Sequence, residues 1–288
     1  MNGLLMDVKR MAVHDGPGLR TTLFFKGCPL SCRWCHNPEG QSVKPEVAFF
    51  GNKCIGCGRC RAACPHRMAD SEPCVGCGRC ASACLTGARK LYGREIALDE
   101  ALQIALEDRI FYGDTGGVTL SGGEPLMQAA FAAALLEALR ERGVRTAVDT
   151  CGHAPWKAFE ETMPFCDLYL FDVKHMDSEK HRQATGQGNE LILENLTRLA
   201  ERGASIQIRI PLIPAFNDDK ENLRRTGAFL RSIRPEKIKL LPYHDAARVK
   251  YRALGKADTM PARPDDMAIR LNRALALLEG MNLPVYCD

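Results

Sequence analysis

Six short apolar segments recur along the chain, and each has the composition of a buried β-strand. They are bounded by Gly, Pro or Asp and lie at residues 19–25, 118–121, 145–149, 168–172, 206–210 and 237–241. Such segments are typical of strands buried on both faces. Amphipathic stretches between them predict helices, at residues 99–112, 128–142, 190–202 and 222–233. The repeated alternation of strand and helix predicts a parallel α/β fold, either open or barrel-like.

Polar residues and cysteines follow these strands directly, where parallel α/β folds hold their functional groups. The residues at these strand ends are Gly27-Cys28, Gly122-Gly123-Glu124, Asp149-Thr150, Asp172-Val173-Lys174 and Tyr243-His244. Arg209 lies within the fifth strand. Because the carboxyl ends of parallel strands meet at one edge of a sheet, we expect these side chains to surround a single site.

An internal repeat separates the first two predicted strands. The run Cys54-Ile-Gly-Cys57-Gly-Arg-Cys60 recurs twenty positions later as Cys74-Val-Gly-Cys77-Gly-Arg-Cys80, and one further cysteine, Cys64 or Cys84, ends each copy. This self-similarity predicts a small two-fold module over residues 49–92. Residues 1–48 and 93–288 then form the main domain.

Each copy has the spacing Cys-x2-Cys-x2-Cys-x3-Cys that bacterial ferredoxins with two clusters use. In that arrangement the fourth cysteine of each run binds the cluster of the other run. The two [4Fe–4S] ligand sets are therefore Cys54, Cys57, Cys60 and Cys84, and Cys74, Cys77, Cys80 and Cys64. Structural zinc is the alternative, although zinc does not need a third and fourth cysteine at this spacing. Clusters with all four ligands are suited to carrying electrons.

A third group of cysteines follows the first predicted strand, in the run Cys28-Pro-Leu-Ser-Cys32-Arg-Trp34-Cys35. Three thiolates leave one iron of a four-iron cluster without a protein ligand, and catalytic metal centres keep such an open position. The run therefore predicts a catalytic cluster in the first strand-to-helix loop, with Trp34 sheltering it.

Composition fits an intracellular metalloprotein. The chain has 288 residues, of which 14 are cysteine, 45% are apolar and 26% are charged. These proportions exclude collagen-like, disordered and small disulfide-stapled chains. No apolar run reaches membrane-spanning length and the N-terminus lacks the features of a signal peptide, so we expect a cytoplasmic protein with reduced thiols.

The formal charge of +4 hints weakly at an anionic partner. Metal-bound cysteines are thiolates, however, and eleven of them with three [4Fe–4S]2+ cores bring the total to about −1. The hint then disappears, and we expect no nucleic-acid or membrane partner.

Several ordered motifs resemble the radical S-adenosylmethionine (SAM) superfamily, and more narrowly the activating enzymes of glycyl radical enzymes. Beside the cysteine triad with His36-Asn37, they are Asp15-Gly16-Pro17-Gly18-Leu19-Arg20, Ser121-Gly122-Gly123-Glu124-Pro125, Asp149-Thr150-Cys151-Gly152, Asp172-Val173-Lys174 and Leu241-Pro242-Tyr243-His244. The resemblance covers nearly the whole chain. It implies a partial (β/α)6 barrel, similar to a TIM barrel, with the ferredoxin-like domain of two [4Fe–4S] clusters inserted.

The resemblance also implies roles for the strand-end residues. Cys28, Cys32 and Cys35 would hold the catalytic cluster, with Lys174 and Arg209 as further catalytic residues. Contacts to SAM would come from Trp34, Cys35, His36, Gly122, Gly123, Glu124, Asp149, Asp172, Val173, Lys174, Arg209 and His244. Asp149, Thr150 and Asp172 would form a site for a monovalent cation.

The implied activity is reductive cleavage of SAM, after which the 5′-deoxyadenosyl radical takes a hydrogen atom from a backbone glycine of a partner glycyl radical enzyme. Flavodoxin or ferredoxin would donate the electron, and we expect the chain to act as a monomer in anaerobic metabolism. A radical SAM enzyme that acts on a free small molecule is the alternative. A plain electron-transfer protein is the third interpretation.

Several of these residues also have a simpler interpretation. Taken alone, His244 would be an ordinary packed or surface histidine and Lys174 a solvated charge, but their strand-end positions favour the functional role. Asp15 and Arg20 are as typical of caps on the first strand as of functional residues. We read Cys151, Cys166 and Cys287 as small buried hydrophobes, because none has a partner at ligand spacing. The basic residues in 231–252 indicate a solvated face, with a docking surface as the alternative.

Overall fold

The computed structural model describes residues 1–66, 74–261 and 264–287. Its strands are β1 (Asn2–Ala12), β2 (Arg20–Phe25), β3 (Glu46–Phe49), β4 (Arg89–Tyr92), β5 (Arg94–Ala97), β6 (Gly117–Gly122), β7 (Arg145–Thr150), β8 (Leu168–Asp172), β9 (Ile206–Leu212), β10 (Lys237–Pro242) and β11 (Val285–Tyr286).

Helices follow most of these strands. They are α1 (Arg59–Ala63), α2 (Arg79–Ser82), α3 (Leu98–Leu106), α4 (Ala129–Glu141), α5 (Trp156–Thr162), α6 (Ser178–Thr185), α7 (Glu190–Glu201), α8 (Lys220–Ile233), α9 (Arg248–Ala253) and α10 (Met267–Glu279). Within the described ranges, none is long and apolar enough to cross a membrane.

The main sheet has nine strands in the order β11-β10-β9-β8-β7-β6-β2-β1-β5. From β2 through β6 to β11 all neighbours are parallel, whereas β1 pairs antiparallel with β2 and β5. The six predicted strands are β2 and β6 to β10, so the predicted parallel α/β fold is confirmed. The described strands leave the sheet open at β5 and β11, which fits a partial barrel.

The two faces of the sheet differ in polarity. On one face, strand residues such as Leu120, Phe171 and Ile208 pack into a continuous core with helix residues such as Leu135 and Leu196. The opposite face carries a smaller apolar group, Ala147, Leu168 and Leu170, beside polar side chains. In β9, Ile206, Ile208 and Ile210 are buried while the alternate positions, Arg209 among them, are half-buried. This period of two places Arg209 on the face opposite the helices.

One predicted helix is too long. The stretch 99–112 forms a helix only as far as Leu106, followed by a single 3-10 turn at Arg109–Phe111. The chain departs from the helix here because the Asp108 carboxylate accepts hydrogen bonds from Arg10 at 2.9 Å and Thr21 at 3.0 Å. These partners lie on β1 and β2, so a tertiary contact overrides the amphipathic pattern.

Arg20, the first residue of β2, has a structural role at the end of the sheet away from the strand-end motifs. Its side chain is 2% exposed, and it donates to Thr119 Oγ1 at 2.6 Å, to the Val118 carbonyl at 2.7 Å and to the Arg145 carbonyl at 3.3 Å. Burial lowers the pKa of this guanidinium to about 10. One buried cation therefore ties together β2, β6 and β7, whose far ends carry the strand-end motifs.

We predict that Arg20→Ala lowers the free energy of unfolding by about 3–5 kcal/mol, because it leaves buried carbonyl groups without their donor. Urea denaturation of the reduced chain, followed by circular dichroism, measures the loss. The matched control is Arg94→Ala, since the exposed Arg94–Glu100 pair at 2.7 Å contributes at most about 1 kcal/mol. Equal losses in the two variants would contradict a structural role for Arg20.

Candidate active site

The parallel strands end at a common edge, and the loops beyond them enclose a cavity of about 710 Å³. Cavities for cofactors and drug-sized ligands span about 300–1,000 Å³. The predicted site residues that line it are Cys28, Cys32, Trp34, Cys35, His36, Gly122, Gly123, Asp149, Thr150, Asp172, Lys174 and Arg209. The structure thus brings the cysteine triad together with motifs from four other strands.

The triad loop (residues 27–40) is held at both its base and its tip. At the base, the Gly27 N–H donates to the Gly40 carbonyl at 2.8 Å, and Gly27 has a φ of 100°, which favours glycine. At the tip, the Ser31 N–H donates to the Thr185 carbonyl at the end of α6, at 2.7 Å. These backbone bonds fix the three thiols on one wall of the cavity.

Aromatic side chains form one end of the site. Trp34 is buried and packs on Phe216, with ring centroids 4.8 Å apart. The rings of His36 and His244 lie 3.9 Å apart and both residues are exposed. His36 lines the cavity whereas His244 is not among its lining residues, so contact between His244 and SAM stays a prediction. The Val173 side chain is 2% exposed and packs in the core. Only the backbone of Val173 is therefore available to a ligand in the site.

Lys174 is a buried cation close to the triad. Its ammonium donates to the Asp172 carboxylate at 2.6 Å, and its side chain is only 6% exposed. Burial alone would lower the pKa of Lys174, but Asp172 and the thiols of Cys32 and Cys151 raise it above its ordinary value. The side chain therefore stays positive at neutral pH, beside the thiols.

A second cation, the half-buried Arg209 on β9, lines the same cavity. It pairs with Asp149 at 3.1 Å, and Asp149 also accepts a hydrogen bond from the Ser121 hydroxyl at 2.7 Å. Burial raises the pKa of Asp149 to about 6, although Arg209 opposes the shift. The Nε of Arg209 is buried without a hydrogen-bond partner among the described residues, which leaves a donor for a ligand.

The Glu124 carboxylate is engaged within the protein. It accepts hydrogen bonds from the Leu126 N–H at 3.1 Å, the Thr150 hydroxyl at 2.9 Å and the Cys151 N–H at 2.7 Å, and it is fully buried. Its observed role is to join the loop after β6 to the end of β7. Direct contact between Glu124 and a ligand stays a prediction.

The predicted cation site has its oxygens engaged elsewhere. Thr150 donates to Glu124, Asp172 pairs with Lys174, and Asp149 pairs with Arg209. In the part of the chain that the structure describes, no three His, Cys, Asp or Glu side chains are arranged to hold a single metal ion. The cation at Asp149, Thr150 and Asp172 therefore also stays a prediction.

Some cavity residues were missed by the sequence analysis. Cys151 is buried as expected, but it lines the cavity and shares a hydrogen bond with Cys28 that lowers the pKa of Cys28. Its position two residues after Asp149 was the available signal. Lys250, assigned to a solvated face, donates to Glu39 at 2.6 Å and to the His36 carbonyl at 3.0 Å, and so binds the triad loop.

The repeated cysteines lie apart from this cavity. Cys54, Cys57, Cys60 and Cys84 line one small pocket of their own. Cys64 and Cys74 lie close enough to Cys80 to contribute to its raised pKa, which comes chiefly from burial. Both groupings combine cysteines from the two runs, and the crossed ligand sets stay a prediction.

Comparison with known proteins agrees with this geometry. Residues 22–226 match the radical SAM superfamily. The chain is 40% identical to the choline trimethylamine-lyase activating enzyme of Oleidesulfovibrio alaskensis, over 98% of this chain and 96% of that protein. It is 42% identical to the trans-4-hydroxy-L-proline dehydratase activating enzyme of Clostridioides difficile, over 89% of each chain.

The chain belongs to the radical SAM superfamily, among the glycyl radical enzyme activating enzymes. The resemblance stated from its motifs is thereby confirmed. Among solved structures, a domain of a pyruvate-formate lyase-activating enzyme from Bacteroides vulgatus matches with a TM-score of 0.51 and 35% identity, over 60% of this chain and 99% of that one. A radical SAM methyltransferase from Sphaerobacter thermophilus has a TM-score of 0.58 at 15% identity, over 93% of this chain and 66% of that one, and shares the fold alone.

We predict that Lys174→Gln weakens SAM binding by about 30- to 1,000-fold, because truncating one partner of a buried charge pair costs about 2–4 kcal/mol. Equilibrium dialysis of the anaerobically reconstituted enzyme measures the affinity, and iron analysis confirms equal loading. Lys180→Gln is the control, since Lys180 is exposed on α6 outside the cavity. Unchanged affinity in Lys174→Gln would refute a binding role for the ammonium.

Proposed function

We propose that this enzyme activates a partner glycyl radical enzyme by taking a hydrogen atom from one backbone glycine of that partner. The observation that carries the proposal is the shared cavity of three thiols, Cys28, Cys32 and Cys35, and two cations, the buried Lys174 and the half-buried Arg209. Relatives that cover nearly the same length are named as activating enzymes of lyases and dehydratases. This agreement favours a protein partner over a free small molecule.

The donor set fits a [4Fe–4S] cluster with an open iron and SAM beside it. When bound, these groups supply the 5′-deoxyadenosyl radical that takes the hydrogen atom. We expect the Lys174 ammonium to bind the methionyl carboxylate, and the Arg209 Nε, which has no partner among the described residues, to donate a hydrogen bond to SAM. Asp149 offers an acceptor for ribose hydroxyls, while Trp34 and His36 form an aromatic wall for adenine. Enclosure by these residues excludes water from the reacting atoms.

Gly122 and Gly123, which follow β6, support this assignment indirectly. A Cβ on Gly123 would lie 2.1 Å from the Gly27 carbonyl oxygen, and one on Gly122 would lie 2.4 Å from the Phe25 nitrogen. Both glycines are therefore required for contact with β2 and the triad loop. We propose that they serve SAM by setting the position of that loop as well as by their own backbone groups.

We further propose that residues 49–92 form a ferredoxin-like unit with two closed [4Fe–4S] clusters, bringing the total to three. The pocket shared by Cys54, Cys57, Cys60 and Cys84 supports the first crossed set. Structural zinc is the alternative, although zinc does not need a third and a fourth cysteine at this spacing. The Cys-x2-Cys-x2-Cys-x3-Cys spacing of both runs favours the iron–sulfur clusters.

Other attributes follow from the same proposal. We expect flavodoxin or ferredoxin to supply the electrons, and a monomeric, cytoplasmic enzyme. A monovalent cation at Asp149, Thr150 and Asp172 would require these side chains to exchange their present partners.

The test is anaerobic incubation of reconstituted enzyme with SAM, a reductant and a candidate glycyl radical enzyme. We expect 5′-deoxyadenosine and an EPR doublet from the partner's glycyl radical, both abolished by Cys32→Ser. The partner's glycine changed to alanine is the matched control and must give no doublet. SAM cleavage that never radicalises a protein, with turnover of a small molecule instead, would overturn the proposal in favour of the alternative.

A further inference from the structure

The two halves of the cysteine repeat have equivalent sequences but different surroundings. In the outer half (residues 51–60), a Cβ on Gly56 or Gly58 would meet no atom within 4 Å. In the inner half (residues 74–80), a Cβ on Gly76 would lie 2.3 Å from the Pro45 carbonyl oxygen, and one on Gly78 would lie 2.7 Å from Leu91. At these matched positions the inner half is packed against Pro45 and Leu91, whereas the outer half has no neighbour within 4 Å.

The contact under the inner half leads toward the active site. Pro45 is followed by Glu46, whose carboxylate accepts a hydrogen bond from the Lys26 ammonium at 2.9 Å. The same ammonium donates to the Glu39 carbonyl, in the triad loop, at 2.6 Å. These contacts connect the inner half, through Pro45, Glu46 and Lys26, to the triad loop.

The surface over the outer ligand set is apolar at its centre. Ile55 and Leu85 both line the pocket of Cys54, Cys57, Cys60 and Cys84, and they are 67% and 68% exposed. These two side chains offer a partner protein an apolar contact at the pocket. We call this surface, with the adjacent Lys53, Arg59 and Arg61, the outer face.

The charge of this region is positive although that of the whole chain is not. Residues 49–92 contain seven Lys and Arg against two Asp and Glu, and both acidic residues fall in 67–73. Eight thiolates and two [4Fe–4S]2+ cores would carry about −4, which reduces the basic excess of +5 to about +1. A positive rim around an apolar centre is complementary to an acidic protein.

We infer that the outer face docks an acidic one-electron carrier protein, so that electrons pass from the outer half to the inner half and then to the triad. This inference rests on the proposed function, because it assumes that both halves hold clusters. Each docking transfers one electron from the carrier, which is oxidised by one, to the group held by Cys54, Cys57, Cys60 and Cys84, which is reduced by one. No covalent bond forms or breaks, and no proton is transferred.

The repeat supplies matched variants for a test. Ile55 corresponds to Val75, which is 61% exposed, and Arg59 corresponds to Arg79, which is also exposed. Reconstituted holoenzyme carrying Ile55→Glu with Arg59→Glu is compared with holoenzyme carrying Val75→Glu with Arg79→Glu. Purified flavodoxin hydroquinone is the probe; its affinity and its rate of cluster reduction are followed by biolayer interferometry and stopped-flow absorbance.

We expect the outer pair of changes to weaken flavodoxin binding and slow its electron transfer by about tenfold or more, and the inner pair by less than about twofold. Reduction by dithionite and the iron content must be unchanged in both, which separates docking from folding. Equal effects of the two pairs, or a larger effect of the inner pair, would overturn the inference. Neither readout uses a glycyl radical enzyme, so failure here is distinguishable from failure of the proposed function. If the double variant Cys54→Ser with Cys57→Ser kept its full iron content, the outer cluster itself would be refuted.

Discussion

Close backbone contact between the triad loop and the end of β6 is the constraint on which the active site depends. The Gly123 N–H donates to the Phe25 carbonyl and the Glu124 N–H to the Gly27 carbonyl, at 2.8 and 2.7 Å. The space at Gly123 is so small that any Cβ would overlap the Gly27 and Gly40 carbonyl oxygens. Because these loops share hydrogen bonds, the thiols cannot shift without moving the motifs beside them. The sheet edge and the cysteine triad therefore form one rigid unit.

Charged side chains extend this unit to the C-terminal part of the chain. Lys250 binds Glu39 in the triad loop, and Lys256 pairs with Glu46 at 3.1 Å. Glu46 is also the partner of the buried Lys26, whose side chain is 0% exposed. Two lysines from the region of α9 thus hold the segment that joins the triad loop to the cysteine repeat. Since Lys26 and Glu39 are buried, these pairs are screened by salt less than surface pairs are.

The sequence was informative where local chemistry decides the structure. Buried strands such as β6 and β8 are recognisable because both faces are apolar, and ligand spacing is a property of the chain alone. The long strand β1 was missed because its polar positions, such as Asp7 and Lys9, acquire meaning only through pairing with β2 and β5. Tertiary partners were equally invisible: spacing does not reveal that the Glu124 carboxylate binds Thr150, or that Cys151 lies against Cys28.

The two copies of the cysteine repeat have the same spacing but different surroundings in the fold. Gly58 and Gly78 have nearly the same φ, 71° and 74°, and each precedes a short helix, so the two copies fold alike. Only their flanks differ, because β3 and β4 pair with each other and bring the inner copy against the body. Ligand spacing alone would make the two halves interchangeable. The packing of one half and the exposure of the other make them unequal, and that inequality would give the proposed relay a receiving end and a delivering end.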